Sequence, residues 1–189
     1  TVDAFMDAEG ISRVIVVCPE DRFQLLAGES YEKPIVRVDG GDQRQHSVEN
    51  GLAALGPEDL LVAVHDGARP LVRPESIDAC VAAAREHGAA TLAHAVTDTI
   101  KHIVHAQDGR SIVTETPDRS TLVAVQTPQA FRADILREAH ATSAGATDDA
   151  ALVEAIGGTV VVVDGESTNI KITGPNDLAI AAILLESLG

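Results

Sequence analysis

The segment VHDGARP at residues 64–70 places a carboxylate and a guanidinium directly after an apolar run. Such a run predicts a buried strand, and in a doubly wound sheet the ligand site lies outside the carboxyl ends of the strands. Asp66 at that place could hold Mg²⁺ against phosphate oxygens, and the planar guanidinium of Arg69 could bind an anionic substrate. A strand-end turn capped by Asp66, with Arg69 as its surface partner, explains the same residues without a ligand.

A second candidate segment is VDGGDQRQHSV at residues 38–48, which also follows a β-branched run. Its paired glycines would let the backbone approach a base or ribose closely. Polar side chains at the start of the helix that follows would add contacts to a nucleotide. The candidate contacts are Gly41, Asp42, Arg44 and Ser47. A turn followed by a capped helix is the alternative interpretation.

A third candidate is Lys171, in the segment STNIKITGPNDL at residues 167–178. Lys171 alternates with Ile170 and Ile172, so in a strand its side chain points away from theirs. A lysine opposite Asp66 could stabilise charge on a transferring phosphoryl group, whereas a lone lysine is usually solvated surface. The polar segments QTPQAF, TDD, TDTIK and PDR are weaker signals, because ordinary turns and caps explain each of them.

The elements that must position these residues follow from β-branched runs that alternate with helical patterns. Alternation of this kind predicts βαβ units. We therefore predict a single α/β domain over residues 1–189, with a Rossmann-like, mainly parallel sheet and helices on both faces. A helical spacing of apolar residues predicts a first helix that ends before Gly10. The predicted strands lie near residues 13–17, 35–38, 60–64, 90–96, 122–126, 159–163 and 169–173. The further predicted helices lie near residues 43–55, 74–87, 132–142, 148–156 and 176–187.

Residues 97–121 interrupt the alternation. This segment is polar and rich in β-forming residues, and its Asp-Gly pair at 108–109 is a hairpin signal. We expect an arm that projects from the sheet. We also expect a βα unit of about 30 residues ahead of Thr1, because an α/β domain of this type usually begins with a central strand.

The composition restricts the classes of function. Acidic residues outnumber basic ones by 29 to 14, and the net charge of −15 disfavours nucleic-acid binding. A bound phosphate must then be held by local cations, loop amides or a metal. The 2 cysteines form neither a disulfide framework nor a metal site by themselves. No apolar run reaches membrane-spanning length and no signal peptide opens the chain, so we expect a cytoplasmic protein without a membrane partner.

The order and spacing of the polar motifs resembles the IspD family, the 2-C-methyl-D-erythritol 4-phosphate cytidylyltransferases of non-mevalonate isoprenoid biosynthesis. The motifs are VDGGDQRQHSV, VHDGARP, DTIK, PDR, QTPQAF, TDDAALVE and NIKIT, and they cover nearly the whole chain. The resemblance implies that the enzyme uses CTP and Mg²⁺. It also implies that the acceptor phosphate attacks the α-phosphate in line, releasing pyrophosphate and forming 4-diphosphocytidyl-2-C-methyl-D-erythritol.

The resemblance assigns roles to individual residues. Asp66 matches the metal-binding carboxylate, and Lys171 matches a strand lysine that neutralises the α-phosphate in the transition state. The implied catalytic residues are Lys171, Asp66 and Arg119, the nucleotide-binding residues Gly41, Asp42, Arg44, Ser47 and Asp66, and the substrate-binding residues Arg69, Thr99, Arg119, Thr127, Thr147 and Lys171. The 97–121 arm looks like a dimerisation arm whose Thr99 and Arg119 reach into the partner's site, which implies a homodimer with shared sites.

The sequence departs from the family pattern in one respect. The glycine-rich AAGxGxR segment and a later Pro-Lys, which cradle the triphosphate in the family, do not occur in the chain. Losing preorganised charge of this type lowers rates by orders of magnitude. A non-catalytic nucleotide-binding or dimerisation module therefore stays open as an alternative. A ribitol 5-phosphate cytidylyltransferase, which shares the fold, the nucleotide and many of the motifs, is a second alternative. A Rossmann dehydrogenase matches poorly, since no G-x-G-x-x-G follows a predicted strand.

Overall fold

Strands and helices alternate along the chain in a computed structural model that describes residues 1–142 and 145–188. The strands are β1 (Val14–Val17), β2 (Ile35–Val38), β3 (Leu61–Val64), β4 (Ala89–Ala95), β5 (His102–His105), β6 (Ser111–Glu115), β7 (Val123–Arg132) and β8 (Val161–Asp164). The helices are α1 (Val2–Asp7), α2 (Glu20–Phe23), α3 (Arg44–Ala53), α4 (Pro74–His87), α5 (Ala133–Thr142), α6 (Asp149–Ala155) and α7 (Pro175–Leu188). Within the described residues, none of these helices has the length and apolar character needed to cross a membrane.

Four strands form the central sheet in the order β3-β7-β4-β8. β4 and β8 run parallel, whereas β7 lies antiparallel between β3 and β4. β3, β4 and β8 therefore point the same way, which confirms the predicted mainly parallel α/β fold. Their carboxyl ends share one edge of the sheet, where a ligand site is expected. β1 and β2 pair in parallel as a separate two-stranded sheet.

Helices cover both faces of the central sheet. Successive side chains along a strand point to opposite faces, so neighbouring residues of β7 pack against different helices. On β7, Ala130 packs in a buried apolar cluster with side chains of α1 and α4. The next residue, Phe131, packs in a second cluster with side chains of α3, α5 and α6. Phe131 and Leu136 are completely buried in that second cluster. The prediction of helices on both faces is confirmed.

The strand β7 is longer than the sequence predicts. The QTPQAF segment, residues 126–131, lies inside β7, although a turn explains its composition equally well. Pro128 makes this part of β7 hard to predict, because proline within a run usually indicates an edge strand or no strand at all. It is tolerated here since the pairing of β7 with β4 shifts register between Thr91 and Ala93, beside the proline. The peptide bond between Thr127 and Pro128 is cis.

The predicted strand at residues 169–173 is wrong. Those residues form a loop, in which the N–H of Ile172 donates to the carbonyl of Ala68 at 2.8 Å and the N–H of Ile170 donates to that of Thr168. Alternating isoleucines favour a strand only where a neighbouring strand supplies a ladder of partners. Here the backbone bonds to the loop after β3 instead.

The predicted hairpin lies between β5 and β6, which pair antiparallel around Asp108 and Gly109. Gly109 adopts a φ of 84°, which favours glycine in the tight turn. Every residue of both strands is exposed, so the hairpin projects from the domain without packing on it. This geometry matches the expected arm.

A cavity of about 640 Å³ separates β1 from β3. All four residues of each strand line it, whereas the face of a strand would contribute only alternate residues. Both strands therefore present a backbone edge to the cavity. Arg44 and Asp66 also line it, at the carboxyl end of β3.

The second apolar cluster gives a testable prediction for folding. Replacing the completely buried Leu136 by alanine should lower the free energy of unfolding by about 2–5 kcal/mol, because it removes apolar contacts and leaves a cavity. The same substitution at Leu60, which is 74% exposed, should change it by no more than about 0.5 kcal/mol. Urea denaturation of both variants measures the difference, and equal losses would contradict the assigned core.

Candidate functional site

Asp66 lies among three cations directly after β3. Its Oδ2 accepts a hydrogen bond from Lys171 Nζ at 2.8 Å and lies 3.8 Å from Arg69 Nε. Its Oδ1 lies 3.7 Å from Arg44 Nε. The structure thus brings together four of the predicted site residues, which come from three separate segments of the chain.

Asp66 is ionised although it is largely removed from water. Burial raises the pKa of its carboxyl group, but the hydrogen bond from Lys171 and the charges of Lys171, Arg44 and Arg69 outweigh burial and hold that pKa below its usual value. Three cations around one carboxylate leave a local surplus of positive charge in a chain whose net charge is −15. A surplus of this kind attracts anionic ligands such as phosphates.

Asn169 positions the loop that carries Lys171. The Asn169 side chain is completely buried, and its Nδ2 donates to the carbonyl of Thr127 at 2.9 Å. The backbone carbonyl of Asn169 accepts a hydrogen bond from Arg69 Nη1 at 2.8 Å. One asparagine therefore ties the lysine loop to β7 and to the loop after β3. This role of Asn169 is not predicted from the sequence, because a buried asparagine has no signature in a single sequence.

A hydrogen-bonded chain fixes the backbone of Asp66. The N–H of Asp66 donates to Thr127 Oγ1 at 3.0 Å, and that hydroxyl lies 3.1 Å from His65 Nδ1. His65 Nε2 lies 3.0 Å from the carbonyl of Arg69, which can only accept. The proton therefore belongs on Nε2, so Nδ1 accepts from the Thr127 hydroxyl. A neutral imidazole with its proton on Nε2 satisfies both contacts.

His65 is held in that neutral form by its surroundings. Burial disfavours the imidazolium and lowers the pKa of His65 to about 4, against the smaller opposing effects of the Arg69 carbonyl and the Asp66 charge. The ring also lies against Phe5, with ring centroids 5.0 Å apart. His65 is thus part of the support of the site.

The glycine loop before α3 is folded onto the helix. The N–H of Gly41 donates to Ser47 Oγ at 3.0 Å, and that hydroxyl donates to the carbonyl of Gln43 at 3.2 Å. A Cβ on Gly41 would lie 2.3 Å from the Cβ of His46, so any side chain there would force the loop to move. Asp42 is exposed beside it. The cap residue Gln43 makes no side-chain cap hydrogen bond, and its carbonyl accepts from Ser47 instead.

Arg44 connects the glycine loop to a buried carboxylate. Its Nη2 donates to Asp149 Oδ2 at 2.7 Å, and Asp149 Oδ1 lies 2.9 Å from His140 Nε2. Neither Asp149 nor His140 is among the residues predicted from sequence. The TDD segment contains Asp149 and was the available signal, but its turn-like composition concealed a contact between residues 105 positions apart.

Three predicted residues lie on exposed segments away from the contacts around Asp66 described above. Thr147 occupies the bend before α6, and Thr99 lies just before β5. Arg119 donates from Nη1 to the carbonyl of Thr97 at 2.6 Å, which closes the base of the hairpin. In the part of the chain that the structure describes, no group of three or more His, Cys, Asp or Glu side chains is arranged to hold a metal ion.

The sequence matches one family of enzymes along its length. The model of the family described as 2-C-methyl-D-erythritol 4-phosphate cytidylyltransferase (IspD) matches residues 1–187. A protein of that name from Syntrophotalea carbinolica is 44% identical, with 100% of this chain and 83% of the relative covered. Another, from Bacillus licheniformis, is 45% identical, with 99% of this chain and 82% of the relative covered.

Solved structures support the same relationship. The 4-diphosphocytidyl-2C-methyl-D-erythritol synthase from Anaerococcus prevotii has a TM-score of 0.88 at 32% identity, covering 98% of this chain and 87% of that one. The 2-C-methyl-D-erythritol 4-phosphate cytidylyltransferase from Thermus thermophilus has a TM-score of 0.78 at 36% identity, covering 98% of this chain and 86% of that one.

The neutral His65 predicts how stability depends on pH. The unfolded chain takes up a proton at this position near the ordinary histidine pKa of about 6.5, whereas the folded chain resists protonation until about pH 4. The unfolded state therefore binds more protons in that window, and the free energy of unfolding should fall as the pH drops through it, by on the order of 3 kcal/mol.

The variant His65→Gln isolates this contribution. Between pH about 6.5 and 5, above the range in which carboxylates titrate, its stability should fall less steeply with falling pH than that of the unmodified chain, because the contribution of His65 is gone. The exposed His105→Gln serves as the matched control and should keep the dependence of the unmodified chain. Chemical denaturation across this range measures both variants, and an unchanged slope in His65→Gln would show that His65 is not held neutral.

Proposed function

The chain belongs to the 2-C-methyl-D-erythritol 4-phosphate cytidylyltransferase family, and we propose that the cation cluster around Asp66 is its active site. The protein transfers CMP from CTP to 2-C-methyl-D-erythritol 4-phosphate and releases pyrophosphate. The product is 4-diphosphocytidyl-2-C-methyl-D-erythritol, in non-mevalonate isoprenoid biosynthesis. The observation that carries the site assignment is the meeting of Arg44, Arg69 and Lys171 on one carboxylate.

The reaction develops negative charge of the kind that these cations stabilise. An oxygen of the acceptor phosphate attacks the α-phosphorus of CTP, the bond to the bridging oxygen of pyrophosphate breaks, and pyrophosphate leaves with the bonding electrons. Negative charge is spread over the equatorial oxygens of the α-phosphate in the transition state. We assign Lys171 to these oxygens, because a fixed ammonium group stabilises such charge without reorganisation of solvent.

Asp66 fits a role in holding Mg²⁺. This ion usually retains several waters and binds one or two carboxylates together with substrate phosphates, so a single carboxylate is enough. Oδ2 of Asp66 accepts from Lys171, whereas Oδ1 lies 3.7 Å from Arg44 Nε, beyond hydrogen-bond distance, and is the oxygen we assign to the ion. When bound, Mg²⁺ would neutralise charge on the triphosphate.

Arg69 fits the contact with the acceptor phosphate. Its side chain is only 13% exposed, and one nitrogen, Nη1, is taken by the Asn169 carbonyl. Its Nε is buried and has no hydrogen-bond partner among the described residues. This Nε faces Asp66 Oδ2 at 3.8 Å, so we assign the remaining nitrogen, Nη2, to an oxygen of the acceptor phosphate.

The remaining assignments concern the nucleotide and the acceptor. We assign Gly41, Asp42, Arg44 and Ser47 to the cytidine nucleotide, since their loop is folded onto α3 beside Asp66. We assign Thr127 and Thr147 to the acceptor. The hydroxyl of Thr127 already bonds to Asp66 and lies near His65, so its contribution includes holding the Asp66 backbone.

The β5–β6 hairpin supports a homodimer with shared sites. It exposes Ile103, Val104, Ile112 and Val113, each 47–55% accessible, on a projecting arm. These residues form two cross-strand pairs, Ile103 with Val113 and Val104 with Ile112, one on each face of the arm. Apolar pairs exposed in this way are typical of an interaction surface. We propose that a second copy of the chain covers this arm, and that Thr99 and Arg119 at its base contribute to the partner's site.

The cytoplasmic location stays a prediction.

The expected βα unit also stays a prediction, and the cavity between β1 and β3 supports it. Both strands present a backbone edge to that space. A further strand placed in that space would pair with the free edge of each and join the two sheets. The glycine-rich loop that follows such a strand would lie beside Asp66.

Two alternative functions are not favoured. A ribitol 5-phosphate cytidylyltransferase would have a different acceptor, and the curated relatives described above are named for methylerythritol phosphate. A non-catalytic module would not need the cluster of Arg44, Asp66 and Lys171 that the fold assembles.

The role of Asp66 is tested by Asp66→Asn. This variant should lose turnover by about 100-fold or more, because an amide neither neutralises the cations nor holds Mg²⁺. Pyrophosphate release measures turnover, and circular dichroism checks that the fold is kept. The exposed Asp7→Asn is the matched control and should behave as the unmodified chain does. Turnover within threefold in Asp66→Asn would remove Asp66 from the site.

The sharing of sites is tested by mixing two inactive variants. Arg119→Ala and Asp66→Asn should each be poorly active alone. Statistical exchange of subunits makes about half of the dimers mixed, and one site in each mixed dimer then combines an intact Asp66 with an intact Arg119. Pyrophosphate release should recover to about a quarter of the unmodified rate. No recovery despite subunit exchange would show that Arg119 does not act in trans.

A further inference from the structure

A hydrogen-bonded chain of His140, Asp149 and Arg44 leads from α5 to the candidate active site. His140 Nε2 lies 2.9 Å from Asp149 Oδ1, and Asp149 Oδ2 accepts from Arg44 Nη2 at 2.7 Å. The Nε edge of the same guanidinium faces Asp66 at 3.7 Å. Asp149 is completely buried, and the side chain of His140 is 4% exposed. Arg44 therefore links an interior carboxylate to the carboxylate of the site.

Asp149 is ionised in spite of its burial. Burial raises the pKa of its carboxyl group, but the hydrogen bond from His140 and the charge and hydrogen bond of Arg44 outweigh burial and keep that pKa below its usual value. Removing one partner of a buried carboxylate strongly destabilises the fold, because the remaining charge is left uncompensated. Both oxygens of Asp149 are engaged, one by Arg44 and one by His140, so the direction in which Asp149 holds Arg44 is fixed.

The backbone of Asp149 is anchored to the central sheet. Gln129, completely buried in β7, donates from Nε2 to Asp148 at 2.6 Å and accepts from the N–H of Ala150 at 3.1 Å. Asp148 also caps α6 by accepting from the N–H of Ala151 at 3.0 Å. The first turn of α6 is thus held on both sides of Asp149.

This anchoring acts on a side chain that would otherwise be free to move. Arg44 is the first residue of α3, directly after the glycine loop, and its side chain is 39% exposed. A long, half-exposed arginine must lose rotamer freedom when it binds a ligand, which weakens binding. Asp149 removes that freedom in the protein without ligand, so the guanidinium is oriented in advance.

We propose that His140 and Asp149 are positioning residues for nucleotide binding, which hold the Arg44 guanidinium in the orientation that receives an anionic nucleotide. His140 keeps Asp149 ionised and correctly turned, and Asp149 holds Arg44. Neither residue touches the ligand. The inference rests on the proposed function, because the ligand it concerns is the CTP of that reaction.

The first test measures binding of CTP by equilibrium dialysis and its KM by pyrophosphate release. Asp149→Asn should raise the Kd and KM for CTP by about tenfold or more, with a smaller change in kcat, because ground-state contacts with the nucleotide are lost. His140→Leu should act in the same direction. His140→Gln should recover most of the affinity, since its amide donates a hydrogen bond from nearly the same place. The exposed Glu138→Gln on α5 is the control and should change nothing.

A double-mutant comparison separates positioning from a general effect on folding. In an Arg44→Met background, Asp149→Asn should raise the Kd for CTP by less than about twofold, because the residue that it positions is already gone. An increase as large as that seen with Arg44 present would overturn the proposal. His140→Leu in the same background provides this comparison if Asp149→Asn does not fold.

A ligand-free readout keeps this inference distinct from the proposed function. Separate NMR signals from the Arg44 guanidinium nitrogens indicate restricted rotation, and they should average in Asp149→Asn. Signals that stay separate in the variant would overturn the positioning role, whether or not the enzyme turns over. CTP that binds to the unmodified chain without pyrophosphate release would instead count against the proposed function alone.

Discussion

The attraction of three cations to the Asp66 carboxylate is the interaction on which the arrangement of the site depends. Arg44, Arg69 and Lys171 belong to three segments that are distant in sequence, and each lies within 3.8 Å of an oxygen of Asp66. Cations grouped around one side chain repel one another. The Asp66 carboxylate, together with Asp149 at Arg44, offsets this repulsion, and a bound polyphosphate would complete the neutralisation. The proposed binding of a nucleotide here would therefore be coupled to the position of these segments.

The central sheet holds that carboxylate in place. The backbone of Asp66 is fixed by the Thr127 hydroxyl of β7, and the same strand presents Gln129 to the first turn of α6. One antiparallel strand thus supports both Asp66 and the buried carboxylate behind Arg44. The neutral His65 completes the support, because a charged imidazole could not accept the Thr127 hydrogen bond. The rigid element lies in the sheet, and three of the proposed ligand-binding residues, Asp66, Arg69 and Lys171, lie on the loops beyond it.

The sequence alone was sufficient to locate most of this cluster. Asp66 and Arg69 are visible because an apolar run ends abruptly in polar residues, and Arg44 because it follows two glycines. The family resemblance drawn from these motifs is confirmed. Lys171 was placed opposite Asp66, but in a strand, because alternating isoleucines resemble one. Asp149, His140 and Asn169 were missed, because their contacts join segments brought together only by the fold, such as Arg44 and Asp149, 105 positions apart. Pro128 similarly concealed the extent of β7.

Pyrophosphate release from CTP in the presence of Mg²⁺ tests the central claim most directly, with 2-C-methyl-D-erythritol 4-phosphate and ribitol 5-phosphate compared as acceptors. The measurement is made on this chain and on a form extended at its amino end by the corresponding segment of a relative. We expect release that depends on methylerythritol phosphate and is at least tenfold slower with ribitol phosphate. If neither form released pyrophosphate with either acceptor, the account would be contradicted. Faster release with ribitol phosphate would contradict the assigned acceptor.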